Sequence, residues 1–464
     1  MSEMYDLLVI GGGSAGLSAL GYGVRARKRV AVVEKHRVGG DCTWSGCVPS
    51  KTLLKAAKVA HHMRTAGQYG VTPVEPDVDL KAVMAHVHHI IAETYAEETP
   101  EVLRAGGIDV FLGEARFLDP HTIAVGDTRL QAHNILLSTG AHPFVPPVEG
   151  LDSVDYLTYE TVWRLDVLPR HLLVIGGGPI GSELAQAFRR LGSEVTMLAS
   201  RDRLLPRDDP AASGVIGKVF AAEGIDVRYK ARAKRAWQDK AGIHVVAGGQ
   251  EVVGDTLLLV TGRRPNVQGL DLEKAGVAYS ARGIQVDDTL RTTVPHIYAA
   301  GDCIGGFQFT HYAGWQARTA ARNGLFGDSA KGLREWVVWT TFTDPEVAAA
   351  GFTEPQAREK FGDDVASVEW PMEKVDRART ENDTSGLVKV VYRKSDGALL
   401  GATIVSERAG DLIPEWIYAL EYGLKVEDIA GAIHVYPSFS RANVKAARAV
   451  LKATIGPRYD VPEK

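Results

Sequence analysis

Two cysteines lie close together near the N-terminus, in the segment GGDCTWSGCVPSK at residues 39–51. Cys42 and Cys47 are five positions apart, and five helical steps of about 100° each place two side chains on different sides of a regular helix. The thiols can meet only where the backbone is irregular, which Gly46 and Pro49 permit. By itself the spacing fits either a redox-active disulfide or two unrelated buried cysteines.

The residues after the second cysteine predict an amphipathic helix over roughly 50–66. A thiol at the start of a helix lies near the positive end of the helix dipole, which favours its thiolate form. Lys51 follows Cys47 by four positions and therefore shares its helix face. This arrangement predicts that Cys47 ionises easily.

A glycine-rich turn that could bind a dinucleotide precedes the cysteines. The apolar run at 6–10 predicts a buried parallel strand, and GGGSAG follows it directly before a helical pattern. In such a turn Gly11 permits the tight bend, Gly13 lets a pyrophosphate approach the backbone, and Gly16 lets helix and strand pack closely. The helix N-terminus would hold the phosphates through its free N–H groups and its dipole. Glu34 ends the next predicted strand and can accept hydrogen bonds from both ribose hydroxyls.

The same pattern recurs in the middle of the chain, where HLLVI at 171–175 leads into GGGPIG and a predicted helix over 183–191. Gly176, Gly178 and Gly181 occupy the motif positions. Two such units predict two bound dinucleotides, one flavin and one nicotinamide, with a hydride passing between them. Beside a flavin site, the cysteine pair is better interpreted as a redox-active disulfide than as two buried thiols.

The two units differ where their second strand ends. The first ends in Glu34, whereas the strand predicted over 194–198 is followed by Ala199, with Arg201 and Arg203 close behind. An acid at this place holds a free 2′-hydroxyl, and arginine accommodates a 2′-phosphate. The electrostatics therefore favour NADPH over NADH, although the third glycine of the motif is typical of NAD sites and the arginines could be solvated surface charges.

Length and composition place these units in a multidomain protein of ordinary globular type. The chain has 464 residues, a formal net charge of −4 and 45% apolar residues, which suggests about three domains. It has no basic excess for nucleic acid, no apolar run long enough to span a membrane, and too few cysteines for a disulfide framework. We therefore expect a cytoplasmic protein that binds neither nucleic acid nor membrane. We also expect no bound metal, since His86 and His89 lack the further ligands that a site needs.

Four further segments complete a resemblance to a known family that covers essentially the whole chain. With the glycine motifs and the cysteine pair, the sequence resembles the pyridine nucleotide-disulfide oxidoreductases, the group of dihydrolipoamide dehydrogenase, glutathione reductase and mercuric reductase. The four segments are Ser138-Thr139-Gly140, Thr261-Gly262-Arg263-Arg264-Pro265-Asn266, Tyr298-Ala299-Ala300-Gly301-Asp302 and Phe342-Thr343-Asp344-Pro345-Glu346-Val347-Ala348.

The resemblance implies an α/β fold with two Rossmann-like dinucleotide-binding domains, one for FAD and one for NAD(P), and a C-terminal α+β dimerisation domain. The implied domains are the first part of the FAD-binding domain at 1–149, the NAD(P)H-binding domain at 150–268, the second part of the FAD-binding domain at 269–335 and the interface domain at 336–464. The resemblance also implies a homodimer with a shared active site.

The resemblance further implies roles for particular residues. Electrons would pass from NAD(P)H through FAD to a Cys42–Cys47 disulfide, in which Cys47 lies nearest the flavin and Cys42 exchanges with the acceptor. Lys51 is expected to pair with Glu183 close to the flavin, where a cation can stabilise the reduced, anionic form. The other implied cofactor contacts are Thr139, Gly140, Gly301 and Asp302 for FAD, and Gly262 for NAD(P)H.

The C-terminal segment departs from the members that reduce disulfides. Those carry His-Pro-Thr-x-x-Glu, and the histidine, oriented by the glutamate, is the acid–base group for thiol chemistry. Aligned on Pro437, this chain has Tyr436 at the histidine position and Arg441 at the glutamate position. A tyrosine titrates at about 10 and is a poor proton acceptor at neutral pH. His434, two residues before Tyr436, is a further candidate for the base.

A tyrosine at this position resembles mercuric reductase, where a tyrosine of the partner subunit lies by the inner cysteines. Yet the tail at 455–464 has no vicinal cysteines to pass on Hg(II), and Asp41-Cys42-Thr43-Trp44 is unlike the usual Thr-Cys-x-Asn. We therefore predict a mercuric-reductase-like enzyme whose acceptor is a metal ion such as Hg(II), a quinone or a disulfide. Dihydrolipoamide dehydrogenase or another disulfide reductase is the alternative within the family. A non-catalytic redox-sensing flavoprotein is the alternative from another class.

Overall fold

A largely parallel sheet carries the first glycine-rich turn. The computed structural model describes residues 4–456; residues 1–3 and 457–464, at the ends of the first and last predicted domains and including most of the C-terminal tail, lie outside the described residues. The sheet has seven strands. Five are parallel, in the order Ile108–Leu112, Val30–Glu34, Tyr5–Ile10, Thr128–Leu137 and Ile297–Ala299. The other two, Ala115–Asp119 and Thr122–Val125, form an antiparallel meander with the start of the strand Thr128–Leu137.

Helices cover this sheet and place the cysteines beside it. Helix Ser14–Arg25 follows the first glycine-rich turn and packs against helix Thr310–Phe326. The helix predicted over 50–66 spans Cys47–Thr65, because Pro49 lies in its first turn, where no backbone N–H donor is needed. The remaining helices of this part are Gly40–Trp44, Leu80–Tyr95, Pro100–Ala105 and Leu272–Ala275, with 3-10 turns at Ala66–Tyr69 and Gly301–Ile304.

A second parallel sheet repeats this plan around the second glycine-rich turn. Its five strands lie in the order Asp226–Arg228, Glu194–Leu198, His171–Ile175, Thr256–Leu259 and Tyr156–Thr158. The helix predicted over 183–191 spans Pro179–Leu191, since Pro179 again occupies the first turn. The other elements of this part are helix Pro210–Ala222, the three-stranded antiparallel meander Ala233–Asp239, Gly242–Ala247 and Gln250–Gly254, and 3-10 turns at Leu151–Ser153 and Val162–Arg164.

The chain passes between the two sheets twice, and the two crossing segments bind each other. Strands Ala141–Pro143 and Arg263–Pro265 pair in antiparallel register. The Thr139 hydroxyl donates to the Asn266 carbonyl at 2.6 Å, and the Asn266 amide donates to the Thr139 carbonyl at 2.8 Å. This junction fixes one nucleotide unit relative to the other.

A five-stranded antiparallel sheet forms the C-terminal part, in the order Trp339–Thr341, Glu346–Gly351, Leu399–Ser406, Leu387–Arg393 and Val365–Pro371. Trp416 is fully buried in its core, where the indole N–H donates to Asn443 Oδ1 at 2.9 Å. Its helices are Glu354–Phe361, Asp376–Thr380, Ala409–Leu412, Pro414–Tyr422, Val426–Gly431 and Arg441–Ile455, with 3-10 turns at Gly362–Asp364 and Met372–Lys374. A short hairpin, Tyr279–Ser280 with Gly283–Ile284, precedes this part. Among residues 4–456, no helix has the length and apolar character that crossing a membrane requires.

Candidate active site

A break between two helices brings the cysteines together. Cys42 lies in helix Gly40–Trp44, the chain leaves helical geometry at Ser45 and Gly46, and Cys47 begins the next helix. A Cβ on Gly46 would lie 2.8 Å from the carbonyl oxygen of Asp41, so the close approach requires glycine. Both cysteines are free thiols in this structure and form a hydrogen bond with each other. The irregular turn that the spacing demands is therefore present.

The surroundings make Cys47 the more acidic of the two thiols. The pKa of Cys47 is lowered to about 6, chiefly by a hydrogen bond from Cys42 and against the opposing effect of burial. The Thr310 hydroxyl, 3.3 Å from the Cys47 sulfur, and the Lys51 cation contribute to this lowering. The same Cys42–Cys47 hydrogen bond, together with burial, raises the pKa of Cys42. These effects favour the shared proton on Cys42 and the negative charge on Cys47.

Thr310 is a site residue that the sequence did not reveal. It lies 263 positions from Cys47 and begins the helix Thr310–Phe326. Threonine is common near helix starts, so neither its type nor its spacing connects it with a thiol. Only the packing of that helix against the first nucleotide unit brings the hydroxyl to the cysteine.

Lys51 and Glu183 form the ion pair that the resemblance implies. Lys51 Nζ lies 2.8 Å from Glu183 Oε2, and the glutamate side chain is only 7% exposed. The other carboxylate oxygen accepts the Phe342 backbone N–H at 2.9 Å. The Lys51 ammonium also lies 4.4 Å from the centre of the Phe342 ring. The pair thus joins the helix after the cysteines, the second nucleotide unit and the C-terminal domain at one point.

A cavity of about 1100 Å³ extends from Glu34 to Cys42, and this volume slightly exceeds the usual range of ligand pockets, about 300–1,000 Å³. At one end, Glu34 Oε2 accepts the Gly12 backbone N–H at 2.7 Å. A Cβ on Gly16 would lie 2.0 Å from the Gly11 carbonyl, so helix and strand pack as closely as the motif predicts. The lining also includes Gly13, Ser14, Thr139, Gly140, Asp302 and Thr310. Backbone donors at a helix start and carboxylates for hydroxyl groups fit an extended dinucleotide such as FAD.

A half-buried arginine connects this cavity with the segment that carries the cysteines. Arg263 Nη1 lies 2.5 Å from Asp302 Oδ2, and Nη2 contacts the Asp41 carboxylate. Arg263 Nε donates to the Tyr159 hydroxyl at 3.1 Å, and that hydroxyl lies 3.3 Å from Asp41 Oδ2. Burial raises the pKa of Asp302, and the arginine opposes this rise. Gly301, directly before Asp302, has a φ of 77°, a conformation that favours glycine.

The other unusual residues around Cys42 also have partners in the structure. The Thr43 hydroxyl donates to the Glu98 carboxylate at 2.9 Å. The Trp44 indole N–H donates to the Val38 carbonyl at 2.7 Å. Thr43 and Trp44 therefore both form hydrogen bonds that help to fix the cysteine segment.

The second glycine-rich turn repeats the geometry of the first. A Cβ on Gly181 would lie 2.2 Å from the Gly176 carbonyl, so the helix again packs closely on the strand. Gly178 directly precedes the helix, whose first backbone N–H groups are available for phosphates. Gly262, where the chain leaves this unit, has a φ of 122°. These four residues lie around one edge of the second sheet, as the motif predicts.

The strand end of this unit lacks a carboxylate and has arginines instead. Ala199 is buried at the position that corresponds to the glutamate of the first unit, and Arg201 is exposed. Arg203 Nη2 donates to the Pro206 carbonyl at 3.0 Å. Its buried Nε–H has no acceptor within the described range 4–456. These donors suit an anionic group better than a free hydroxyl.

The two candidate acid–base residues of the C-terminal segment, Tyr436 and His434, differ in their exposure and in their hydrogen bonds. Tyr436 is 68% exposed, and its hydroxyl donates to Asp376 Oδ2 at 3.3 Å. The two ring nitrogens of His434 are bonded to the Glu415 carboxylate and to the Ala432 carbonyl. Both nitrogens of His434 are therefore occupied within its own chain, whereas the tyrosine lies at the surface.

Comparisons with known proteins agree with this geometry. Residues 5–317 match the family described as pyridine nucleotide-disulphide oxidoreductase, and residues 337–447 match its dimerisation domain. The chain is 37% identical to mercuric reductase of Bacillus cereus over 437 residues, which cover 93% of this chain and 69% of that protein. It is 35% identical to dihydrolipoyl dehydrogenase of Thermus scotoductus over 467 residues, which cover 98% of this chain and 99% of that protein.

Solved structures show the same architecture. A Cu(II) complex of the flavoprotein disulfide reductase RclA from Escherichia coli superimposes with a TM-score of 0.86 at 28% identity, over 97% of this chain and all of that one. LpdA from Mycobacterium tuberculosis superimposes with a TM-score of 0.87 at 30% identity, over 96% of this chain and 99% of that one. The predicted α/β fold class, the enzyme class and the use of FAD with a pyridine nucleotide are confirmed. The chain therefore belongs to the pyridine nucleotide-disulphide oxidoreductase family of flavoenzymes.

Proposed function

We propose that the protein transfers electrons from NADPH through bound FAD, either by way of the Cys42–Cys47 pair to a soft metal ion or directly from the reduced flavin to a quinone. The observation that carries this proposal is the continuous cavity that extends from Glu34 to Cys42 and Thr310. The residues suited to hold a dinucleotide and the thiol that would exchange with an acceptor line the same space. Electron transfer from a bound flavin to the thiols requires this continuity.

The first nucleotide unit is proposed to hold FAD. When bound, FAD supplies the two-electron carrier between the pyridine nucleotide and the thiols. The helix that starts after Gly13 offers backbone N–H groups to the phosphates. Glu34 accepts hydrogen bonds from ribose hydroxyls while its contact with Gly12 keeps it at the turn. The further residues proposed to contact this cofactor are Gly11, Gly16, Lys51, Thr139, Gly140, Gly301 and Asp302.

The two cysteines are proposed to divide the thiol chemistry. Cys47 is given the flavin-facing role on the family resemblance, although Cys42 lines the cavity and Cys47 does not. Its neighbours Cys42, Thr310 and Lys51 all lower its pKa and so favour the thiolate form. Cys42 keeps the shared proton and exchanges with the acceptor, so that one sulfur attacks and the other resolves. Glu183 holds the Lys51 ammonium in place at 2.8 Å. In that position Lys51 can offset the negative charge of the reduced site.

The second unit is proposed to bind NADPH in preference to NADH. Arg201 and Arg203 supply guanidinium groups for a 2′-phosphate, and Ala199 offers no carboxylate for a free 2′-hydroxyl. The buried Nε–H of Arg203, which has no acceptor among residues 4–456, supports an anionic ligand here. Gly176, Gly178, Gly181 and Gly262 would line the remainder of the nucleotide site.

The acceptor is proposed to be one that needs no acid–base group for thiol protonation. Tyr436 stands where the disulfide-reducing members have histidine, and both ring nitrogens of His434 are already bonded. Soft metal ions bind thiolates directly, and quinones accept electrons without thiol exchange. Several relatives are mercuric reductases, and one structural neighbour is a Cu(II) complex, which supports a metal ion.

We further propose a homodimer whose shared active site brings Tyr436 of one subunit near Cys42 of the other. The match to the dimerisation domain at residues 337–447 supports the dimer. Large exposed side chains on this domain mark an interaction surface; they are Tyr418 at 60%, Tyr422 at 72%, Val435 at 77% and Ile433 at 102%.

A steady-state screen tests the proposed function. The flavin-loaded protein is assayed with NADPH and with NADH against Hg(II), a quinone, lipoamide and glutathione disulfide. We expect the highest turnover with NADPH and either Hg(II) or the quinone. Lipoamide turnover equal to the best other acceptor would instead indicate a dihydrolipoamide dehydrogenase.

A spectrum under anaerobic NADPH tests catalysis itself. We expect NADPH to bleach the flavin absorbance within seconds. Flavin absorbance that persists would favour the non-catalytic redox-sensing flavoprotein.

A further inference from the structure

The segment that carries the two proposed phosphate-binding arginines, residues 200–209, lies against the second glycine-rich turn. The Leu205 backbone N–H donates to the Gly177 carbonyl at 2.8 Å, within the turn itself. The Arg201 carbonyl accepts the Lys230 backbone N–H at 2.8 Å. The conformation of this segment therefore decides where the arginine side chains stand relative to the turn.

The backbone of this segment is held in a conformation that it would not adopt alone. Leu205 has a φ of 48°, in the left-handed region that residues other than glycine rarely populate. Its side chain is completely buried. Such conformations persist only where surrounding contacts determine them, and they concentrate at ligand-binding and active sites. The contacts that hold Leu205 in this conformation are therefore candidates for a role in nucleotide binding.

Three hydrogen bonds to two buried aspartates fix the far end of the segment to the C-terminal domain. The Trp339 indole N–H donates to Asp208 Oδ1 at 2.7 Å. Lys389 Nζ donates to Asp209 Oδ1 at 3.1 Å, and the backbone N–H of Glu354 donates to the other oxygen of Asp209 at 3.2 Å. Asp208 is 2% exposed and Asp209 0% exposed. The end of a nucleotide-domain segment is thus anchored by side chains of another domain.

Stabilisation of the fold alone explains this anchor poorly. Lys389 also lies 2.8 Å from Glu354 and 3.4 Å from Glu369, so one buried lysine faces three carboxylates. Burying charged groups costs desolvation energy, and apolar residues of similar volume often stabilise a fold as well or better. A buried charge cluster can instead impose one arrangement on the segments that it joins. The segment joined here is the one that carries the arginines.

We propose that Lys389 and Trp339, although they belong to the C-terminal domain, are positioning residues for NADPH. By anchoring residues 200–209, they hold Arg201 and Arg203 where the 2′-phosphate binds. The inference rests on the proposed NADPH preference and adds the C-terminal domain to the determinants of cofactor choice.

A double-mutant cycle separates positioning from general stabilisation. In the flavin-loaded enzyme, Lys389→Met is expected to raise the KM for NADPH about tenfold, while kcat and the KM for NADH change less than about twofold. In an Arg201→Ala/Arg203→Ala background, the same change is expected to have no further effect on the KM for NADPH. An equal rise for both nucleotides, or a full additive effect in the arginine-free background, would overturn the inference.

Three variants serve as controls. Lys394→Met removes a lysine of the same domain whose Nζ donates to the Asp363 carbonyl, outside the segment, and both KM values should stay unchanged. Lys389→Arg keeps the charge and should recover most of the NADPH affinity. If Lys389→Met yields no flavin-loaded protein, Trp339→Phe decides, because it removes one anchoring N–H and keeps the ring that stacks on Phe309. An unchanged KM for NADPH in Trp339→Phe would then overturn the inference.

The arginine variant by itself reports on the proposed function. If Arg201→Ala/Arg203→Ala leaves the KM for NADPH unaltered, the assignment of the 2′-phosphate fails. If that variant raises the KM for NADPH and Lys389→Met does not, only the positioning role fails. The two failures are therefore distinguishable.

Discussion

The two glycine-rich units share a backbone plan and differ in the side chain beside their second glycine. In the first unit, Glu34 Oε2 accepts the Gly12 backbone N–H at 2.7 Å. In the second, a Cβ on Gly177 would lie 3.0 Å from the Cβ of Ala199, where a carboxylate is missing. One fold can thus select different nucleotides, because the residue at the end of the second strand decides whether a hydroxyl or a phosphate is favoured.

The surroundings of the two strand ends differ as well. The strand end of the first unit shares one cavity with Cys42. The strand end of the second leads into residues 200–209, which are anchored on the C-terminal domain through Asp208 and Asp209. In the proposed function, the first unit passes electrons on and the second selects their donor. The following variants test this proposed division.

The largest effect is expected when the outer thiol is removed. Cys42→Ser should retain FAD and its reduction by NADPH, whereas turnover with Hg(II) or disulfide acceptors should fall at least about 10³-fold, because the exchanging sulfur is gone. Rapid-mixing spectroscopy reports the first step and steady-state assays report the second. Loss of flavin reduction in this variant would contradict the prediction, because it would show that the transfer of electrons from NADPH to FAD depends on Cys42.

Cys47→Ser is the matched complement of that variant. The long-wavelength absorbance of a thiolate beside the flavin should vanish in Cys47→Ser and persist in Cys42→Ser. The opposite pattern would exchange the roles of the two cysteines.

A further prediction concerns the acid–base pair that the disulfide-reducing members carry and this chain lacks. The double change Tyr436→His with Arg441→Glu should raise lipoamide turnover about tenfold or more, since a positioned general base contributes about 10²–10⁴-fold. Tyr436→His alone should gain less, because the nearby Arg441 cation would oppose protonation of the new histidine. Equal turnover in the wild type and the double variant would contradict this account of the missing base.

A smaller effect is expected at the donor end of the second unit. Arg201→Ala with Arg203→Ala should raise the KM for NADPH about tenfold or more and leave the KM for NADH nearly unchanged, since a hydrogen bond to a charged group contributes about 1.5–3 kcal/mol. Ala199→Glu should shift preference toward NADH by making the second unit resemble the first. Arg232→Ala with Arg235→Ala, which removes exposed arginines of the same domain, is the matched control. Equal effects of the first variant on both nucleotides would refute the phosphate assignment.

The smallest effect concerns the titration of the inner thiol. The pKa of Cys47 is lowered to about 6, so the thiolate absorbance of the reduced protein should grow as the pH rises through that value and disappear below it. Thr310→Val removes a hydroxyl that lowers this pKa, and should move the midpoint upward by about one unit or less. A wild-type midpoint at the usual cysteine value of about 8.5 would contradict the proposed environment.

Local patterns were sufficient to predict both nucleotide units and the turn between the cysteines. The motif glycines meet backbone requirements that arise within a few residues, as the 2.0 Å approach between a Cβ on Gly16 and the Gly11 carbonyl illustrates. The helices predicted over 50–66 and 183–191 begin three or four residues before the predicted start, at Cys47 and Pro179, because a proline in the first turn needs no backbone N–H donor. The domain boundaries remain a prediction from the resemblance.

The sequence by itself determined which chemistry is available: two nucleotide turns, a thiol pair, and a tyrosine where the disulfide-reducing members have histidine. The tertiary structure decided which distant groups act on that chemistry. Thr310 reaches Cys47 across 263 positions, and Lys389 reaches Asp209 across 180. No periodicity or motif spacing relates residues so far apart, because their contact depends on how sheets and helices of different domains pack. Their influence on a thiol pKa or a nucleotide loop is therefore visible only in the fold.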